Sequence, residues 1–154
     1  MTYRIAGLPP ADFLPLFALS DAELAQHRAV RVTASQHPGY PCRVTLRDAP
    51  VGEELILLHH VSHDVATPYR SAFAIYVSQA DIAAEYREAL PPVMQGRSLG
   101  LRGFDAAGML RDARLVPPGE ADAGIRDLFG DPEIAYIHAH NAAHGCFVAR
   151  VDRA

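Results

Sequence analysis

The chain has 154 residues, and its fourteen positive charges, all arginine, stand against eighteen carboxylates and eight histidines, a formal charge of −4 with a pI near 6.0. Without lysine there is no Schiff-base chemistry and no phosphate-loop lysine. The acidic balance argues against a nucleic-acid binder, which carries a basic face.

Hydrophobic residues at 49% and charged residues at 21% are those of an ordinary globular chain, and the length suits a single domain spanning 1–154. Arginine in place of every lysine, beside abundant alanine, reads as the composition of a GC-rich genome rather than as a functional signal. No signal-peptide core follows Met1, because Arg4, Gly7 and Pro9 interrupt it. The longest aliphatic run, Leu55–Leu58, is far short of the ~18 residues of a membrane helix. A cytoplasmic location follows as the expectation, with Cys42 and Cys146 as reduced thiols that form no CxxC pair.

Residues 3–8 alternate weakly and predict a first strand, and Pro9-Pro10 open a helical turn through Phe17. Ser20 with Glu23 three residues on is a capping box, and Leu19 and Leu24 occupy the staple positions, which predicts a helix from Asp21 to about His27. Ala29–Ala34 alternates as a strand. His37–Pro41 is a loop, since two prolines and a glycine forbid regular structure. Strands are predicted over Arg43–Leu46 and Glu54–Ser62, joined by a turn at Ala49–Glu53, and over Ser71–Val77. Asp81 caps a predicted helix with Ile82, Tyr86, Ala89 and Leu90 on its apolar face, ended by Pro91-Pro92. Two strands, Ser98–Asp105 and Met109–Val116, flank Ala107-Gly108. A helix over Glu120–Phe129 ends at Gly130, and Ile134–Asn141 with Cys146–Asp152 forms a hairpin about Ala142–Gly145. About eight strands and three or four helices, mostly joined strand to strand, give an α+β fold with a largely antiparallel sheet.

Four groups of residues carry candidate chemistry. In Tyr136–Cys146, His138 and His140 share one face of a strand, with roots ~6–7 Å apart. Such a pair can grip a divalent metal, zinc or iron, if His63, His144 or Cys146 supplies a third ligand. The competing reading is a structural hydrogen-bond network on a sheet face. In His59–Asp64, period two places His59, Val61 and His63 on one face and His60, Ser62 and Asp64 on the other, so Asp64 is poorly placed to orient His63. Cys42, between a rigid loop and Arg43, is a candidate nucleophile paired with a histidine such as His63, against the usual fate of a free cysteine as a small buried residue. The Thr67–Arg70 loop presents Tyr69 and Arg70, and Arg70 with Arg43, Arg97 or Arg102 can fork a carboxylate or phosphate, unless each pairs with a surface carboxylate.

Pro38–Arg43, the stretch from His63 through Pro68-Tyr69-Arg70 to Ile75-Tyr76-Val77, and Tyr136–Asn141 with Gly145-Cys146-Phe147 together resemble the bacterial family called domain of unknown function 1203. Arg4–Pro9 and the Ser20–Leu24 helix start also fit, so the resemblance spans nearly the full length. It implies no activity. It does imply histidine at positions 63, 138 and 140, and it marks Ala72-Phe73-Ala74, where the family carries histidine, glycine or proline, as a departure.

These readings converge on a small-molecule-binding protein or enzyme whose polar pocket gathers Cys42, His63, Tyr69, Arg70, His138, His140 and Cys146 around a small anionic or polar metabolite. The alternative is a non-catalytic sensing or interaction module. A homodimer through an open sheet edge near the C-terminal hairpin is a further expectation. Full protonation of the eight histidines carries the charge from −4 to +4, so solubility and assembly are expected to respond between pH ~5 and 7.

Overall fold

A computed structural model describes residues 1–154. The predicted strands and helices mostly form where periodicity and caps placed them. The elements are β1 (Tyr3–Ala6), α1 (Asp21–Gln26), β2 (Ala29–Thr33), β3 (Glu54–His63), β4 (Ser71–Ser78), β5 (Glu85–Arg87), β6 (Leu99–Phe104), β7 (Leu110–Val116), α2 (Ala121–Phe129), β8 (Tyr136–Asn141) and β9 (Phe147–Arg153). Short 3-10 turns cover Pro10–Asp12, Leu14–Ala18 and Pro92–Met94. The class is α+β, with every strand–strand ladder antiparallel. No helix is long and apolar enough to cross a membrane.

Six strands form one sheet in the order β5-β1-β9-β8-β6-β7, and three form a second, β2-β3-β4. One face of the larger sheet is its core: Ile5, Leu99, Leu101, Ile137, Ala139 and Val151 pack against Ile125, Leu128 and Phe129 of α2. Gly124 makes that approach possible, because a Cβ there would sit 2.7 Å from Val116 and 2.8 Å from Leu101. The smaller sheet buries Ile56, Leu58, Ile75 and Val77 against Phe13 and Leu24.

The capping box at α1 is complete: Ser20 Oγ accepts from the Glu23 amide at 3.2 Å, and the Glu23 carboxylate accepts from the Ser20 amide at 3.5 Å. Replacing Ser20 by Ala is expected to cost about 1 kcal/mol in a denaturant titration; an unchanged midpoint would show that the cap contributes nothing here.

Three expectations are corrected. Arg43–Leu46 is a tight turn rather than a strand: the Leu46 amide donates back to the Cys42 carbonyl at 3.0 Å, and Leu46 takes φ +54°. Only isolated bridges, Pro41 to Asp48 and Cys42 to Tyr76, flank it. The helix predicted after Asp81 is absent. So short an amphipathic segment is marginal as a helix, and β5 instead pairs with β1 while Ile82 stands 82% exposed. Finally, the C-terminal hairpin β8–β9 lies in the middle of the sheet, whose open edges are β5 and β7.

Candidate functional site

Two β-bulges set the site. Val61 pairs with Ala72, but His63 pairs with Ser71, so two residues of β3 advance against one of β4. That extra residue reverses side-chain parity. His63 therefore leaves the face of His59 and Val61 and joins that of Phe73 and Ile75, which corrects the period-two assignment. On the other sheet, Ala139 pairs with Ala149 while His140 pairs with Phe147. Phe147 is thereby turned onto the face of His138 and His140.

The outcome is a buried cluster where the two sheets meet. His63, His138 and His140 are 4%, 2% and 3% exposed. The His63 and His138 rings lie 4.9 Å apart edge to face, and His138 and His140 lie 6.4 Å apart. Phe104, Tyr136 and Phe147 surround His138 at 5.0–5.5 Å, and Phe73 meets His140 at 5.0 Å. His63 Nδ1 donates to the Tyr69 carbonyl at 2.8 Å, and its Nε2 hydrogen-bonds the Tyr136 hydroxyl at 2.6 Å. His140 Nδ1 donates likewise to the Gly145 carbonyl at 2.9 Å. His138 takes no side-chain hydrogen bond at all.

Burial among these rings pushes His138 down to about 3, with His63, His140, Arg150 and Arg102 adding like-charge repulsion. His140 falls to about 4, again chiefly through burial, partly offset by its bond to Gly145. No carboxylate enters the cluster to hold a charged imidazole, and no three His, Cys, Asp or Glu side chains come together in a metal-holding group. His63 is also poorly disposed as a third ligand, because both of its ring nitrogens are engaged, by the Tyr69 carbonyl and the Tyr136 hydroxyl.

The remaining sequence candidates separate. Tyr69 contributes its backbone carbonyl to His63, and its ring approaches Phe104 at 6.3 Å. Arg70 turns outward and pairs with Asp64 at 3.0 Å, so it joins no fork. Arg97 is taken up by Asp48 through both terminal nitrogens, at 2.5 and 3.0 Å. Cys42 is sealed at 1% exposure, with its sulfur accepting from the Val44, Thr45 and Ser78 amides and the Ser78 hydroxyl at 3.1–3.4 Å. Burial alone raises that thiol; the hydrogen bonds from Ser78 and Thr45 outweigh it and draw it below the ordinary value.

Arg43 is the residue whose setting the sequence did not reveal. Its guanidinium is 2% exposed and touches no carboxylate. Nε donates to the Phe147 carbonyl at 2.8 Å, one terminal nitrogen to the Pro41 carbonyl at 2.5 Å, and the other to Cys146 Sγ at 3.2 Å. Burial lowers its proton affinity, and the two sulfurs, Cys146 foremost, work against that shift. A guanidinium stays charged in proteins nonetheless. Asn141 also donates to Cys146 Sγ, at 3.3 Å.

Arg43, Asn141 and Cys146 line a cleft of about 720 Å³ whose apolar wall is Leu57, Phe73 and Tyr76. A second groove, of about 780 Å³, shares Arg97 with it and is walled by Arg47, Asp48, Thr45 and Ser78. None of the three clustered histidines lines either opening. The single pocket expected from the sequence is thus divided into a closed histidine cluster and a cleft over Arg43, joined through Phe147 and the Gly145–Cys146 turn.

No characterised protein and no solved structure shows significant similarity to the chain. A family model does match, from Gly39 to Arg153, so Arg4–Pro9 and the Ser20–Leu24 helix start lie outside the matched segment. Both the Arg43 turn and the three histidines fall inside it, and on this match the chain belongs to the family described as protein of unknown function (DUF1203).

Proposed function

We propose that the chain binds a small polar molecule in the cleft over Arg43, with the ligand's acceptor oxygens seated on the guanidinium. One observation carries this reading. Arg43 is buried without a carboxylate yet lines an open cleft, its three nitrogens bonded only to the neutral Phe147 and Pro41 carbonyls and to the Cys146 sulfur. A buried charge is normally paired, and the partner wanting here is one a carboxylate, phosphoryl or carbonyl oxygen supplies. The apolar wall of Leu57, Phe73 and Tyr76 suits the rest of a metabolite-sized molecule.

The backbone at the turn supports the same reading. Leu46 holds φ +54° while fully buried, a conformation costly for a branched residue and commoner at ligand sites than elsewhere. The histidine cluster then serves the fold, as a layer of buried rings that fixes β3 and the Gly145 turn around the cleft.

Melting curves against inorganic phosphate, phosphate monoesters and small mono- and dicarboxylates test the proposal. A ligand at a hundred times its Kd adds about 2.7 kcal/mol, a rise of several degrees in Tm. Ala74→Trp, which fills the cleft from an exposed lining position, is expected to abolish that rise without lowering the basal Tm. A panel without any shift, or a shift that survives Ala74→Trp, contradicts the assignment.

A further inference from the structure

Away from the cleft, the longer open edge of the six-stranded sheet carries a charge pattern that is complementary to itself. We propose that β7 is a homodimer interface: β7 of a second copy adds antiparallel to it about a two-fold axis at Ala113, joining the two sheets into one. Of the sheet's two open edges, β5 has three residues and β7 has seven. The proposal is independent of what the cleft binds.

Register is the first argument. When a strand pairs with its own copy across a two-fold axis, the residue on the axis fixes every other cross-strand pair. With Ala113 on the axis, Asp112 of each copy lies opposite Arg114 of the other, and unlike charges directly opposite stabilise a strand pair. With Arg111, Asp112 or Arg114 on the axis, that charge meets its own copy instead. A centre at Leu110 runs the pairing into the Ala107-Gly108 turn, and one at Leu115 or Val116 brings in Pro117, which has no N–H to donate. Ala113 is also the smallest side chain of the strand, so nothing bulky crowds the axis.

The backbone at the axis is the second. The Ala113 amide donates to the Asp112 carboxylate at 2.8 Å and its carbonyl accepts from the Arg114 guanidinium at 2.9 Å, so both groups point away from β6. Two side chains thus shield the edge of a lone chain. In the dimer the Ala113 amides and carbonyls bond each other across the axis, and Asp112 and Arg114 turn to their opposite charges on the second copy. Arg114 stays anchored to α2 while it does so, through Nε on Asp127 at 2.8 Å. Exposure is the third argument. Leu115 is 77% exposed beside Gly100, where an added Cβ would meet nothing within 4 Å, and the aliphatic stem of Arg111 from the second copy lies opposite to cover it. The irregularity at Arg111 ends regular pairing close to the axis, so the interface is small and the affinity modest.

Sedimentation velocity on the full chain tests the proposal. A monomer–dimer equilibrium is expected, with a Kd of about 10–100 μM, as suits a small transient interface. Asp112→Arg and Arg114→Asp each set like charges opposite one another, and each is expected to weaken the dimer about tenfold or more. Mixed in equal amounts, the two variants oppose unlike charges again and are expected to form a heterodimer near wild-type affinity, a recovery that a damaged fold does not give. Arg87→Glu, on the other open edge, is expected to change nothing. Since Arg114→Asp also removes the contact with Asp127 and can loosen α2, Ala113→Pro is the second probe: it keeps every charge, deletes the axial N–H, and is expected to abolish the dimer with Tm retained. A chain that stays monomeric up to about 500 μM carries a merely shielded edge and overturns the proposal. So does a dimer that survives Asp112→Arg or a folded Ala113→Pro, or folded single variants that fail to associate on mixing.

Discussion

Acidification from pH 7 to 4.5 is expected to remove about 5 kcal/mol of folding free energy, most of it through two side chains. His138 and His140 sit at about 3 and about 4 in the fold and at 6.5 when exposed. A base whose proton affinity is depressed by folding is neutral in the native state and protonated in the unfolded chain, so the unfolded state binds more protons. Stability is then fully present above pH 6.5 and is lost as pH falls towards 4, at up to about 1.4 kcal/mol per pH unit for each ring. The groups facing the pair only deepen the effect: His63 from β3, Arg102 from β6, Arg150 from β9 and Arg43 beyond His140 are basic, and Tyr136 is itself displaced upward by burial. Against a typical 5–15 kcal/mol of total stability, such a loss brings the chain close to unfolding.

Urea titrations at pH 7, 5.5 and 4.5 measure this directly. His138→Phe isolates one ring: it forfeits no hydrogen bond, enters an aromatic surrounding, and is expected to halve the slope of stability against pH. A flat profile in the wild type, or an unaltered slope in His138→Phe, would show that these imidazoles titrate as exposed ones do. The sequence-based expectation of a charge swing across pH 5–7 is thereby narrowed, since these two histidines do not take up protons in that window while the chain is folded.

Gly7→Ala is expected to be nearly as damaging, and to damage the cleft as well as the fold. A Cβ at Gly7 would lie 1.9 Å from the Val44 carbonyl oxygen, which is backbone and cannot rotate away. That carbonyl accepts from the Ala84 amide at 2.9 Å, and the Arg43 carbonyl beside it accepts from the Leu8 amide at 2.8 Å. The end of β1 therefore braces the turn that carries Arg43. Added bulk must shift one backbone or the other, at about 3 kcal/mol. A shift that moves Arg43 draws it off the Phe147 carbonyl and the Cys146 sulfur, so the ligand-induced rise in Tm is expected to shrink together with the basal Tm. A Gly7→Ala protein with wild-type stability would show that the two segments separate freely.

Local rules read much of this fold from the residues. The Ser20–Glu23 box, the i, i+4 spacing of Ala121, Ile125 and Phe129, and the turns at Gly108 and Gly145 all specify their structure within a few positions, and each formed as expected. Arg43–Leu46 and Asp81–Leu90 were misread because their conformation is decided by distant partners: Val44 and Ala84 are held by each other, and β5 by β1. The site was legible in part for the same reason. His138 and His140 share a face because an unbroken strand fixes parity, and they do meet. His63 reaches them only through a bulge that no pattern around Ser62 announces. The exchange of roles between the two cysteines, one sealed and one open to a cleft, depends on residues 103 apart in the chain, a relation that neighbouring residues do not encode.

The sealing of Cys42 has a practical consequence. A sulfur wrapped by four donors cannot meet a reagent unless the Cys42–Leu46 turn comes away from β4. The chain therefore carries its own opening clock: one thiol reports the native cleft, and the other is labelled only in molecules that have locally unfolded, at a rate set by how often they do so.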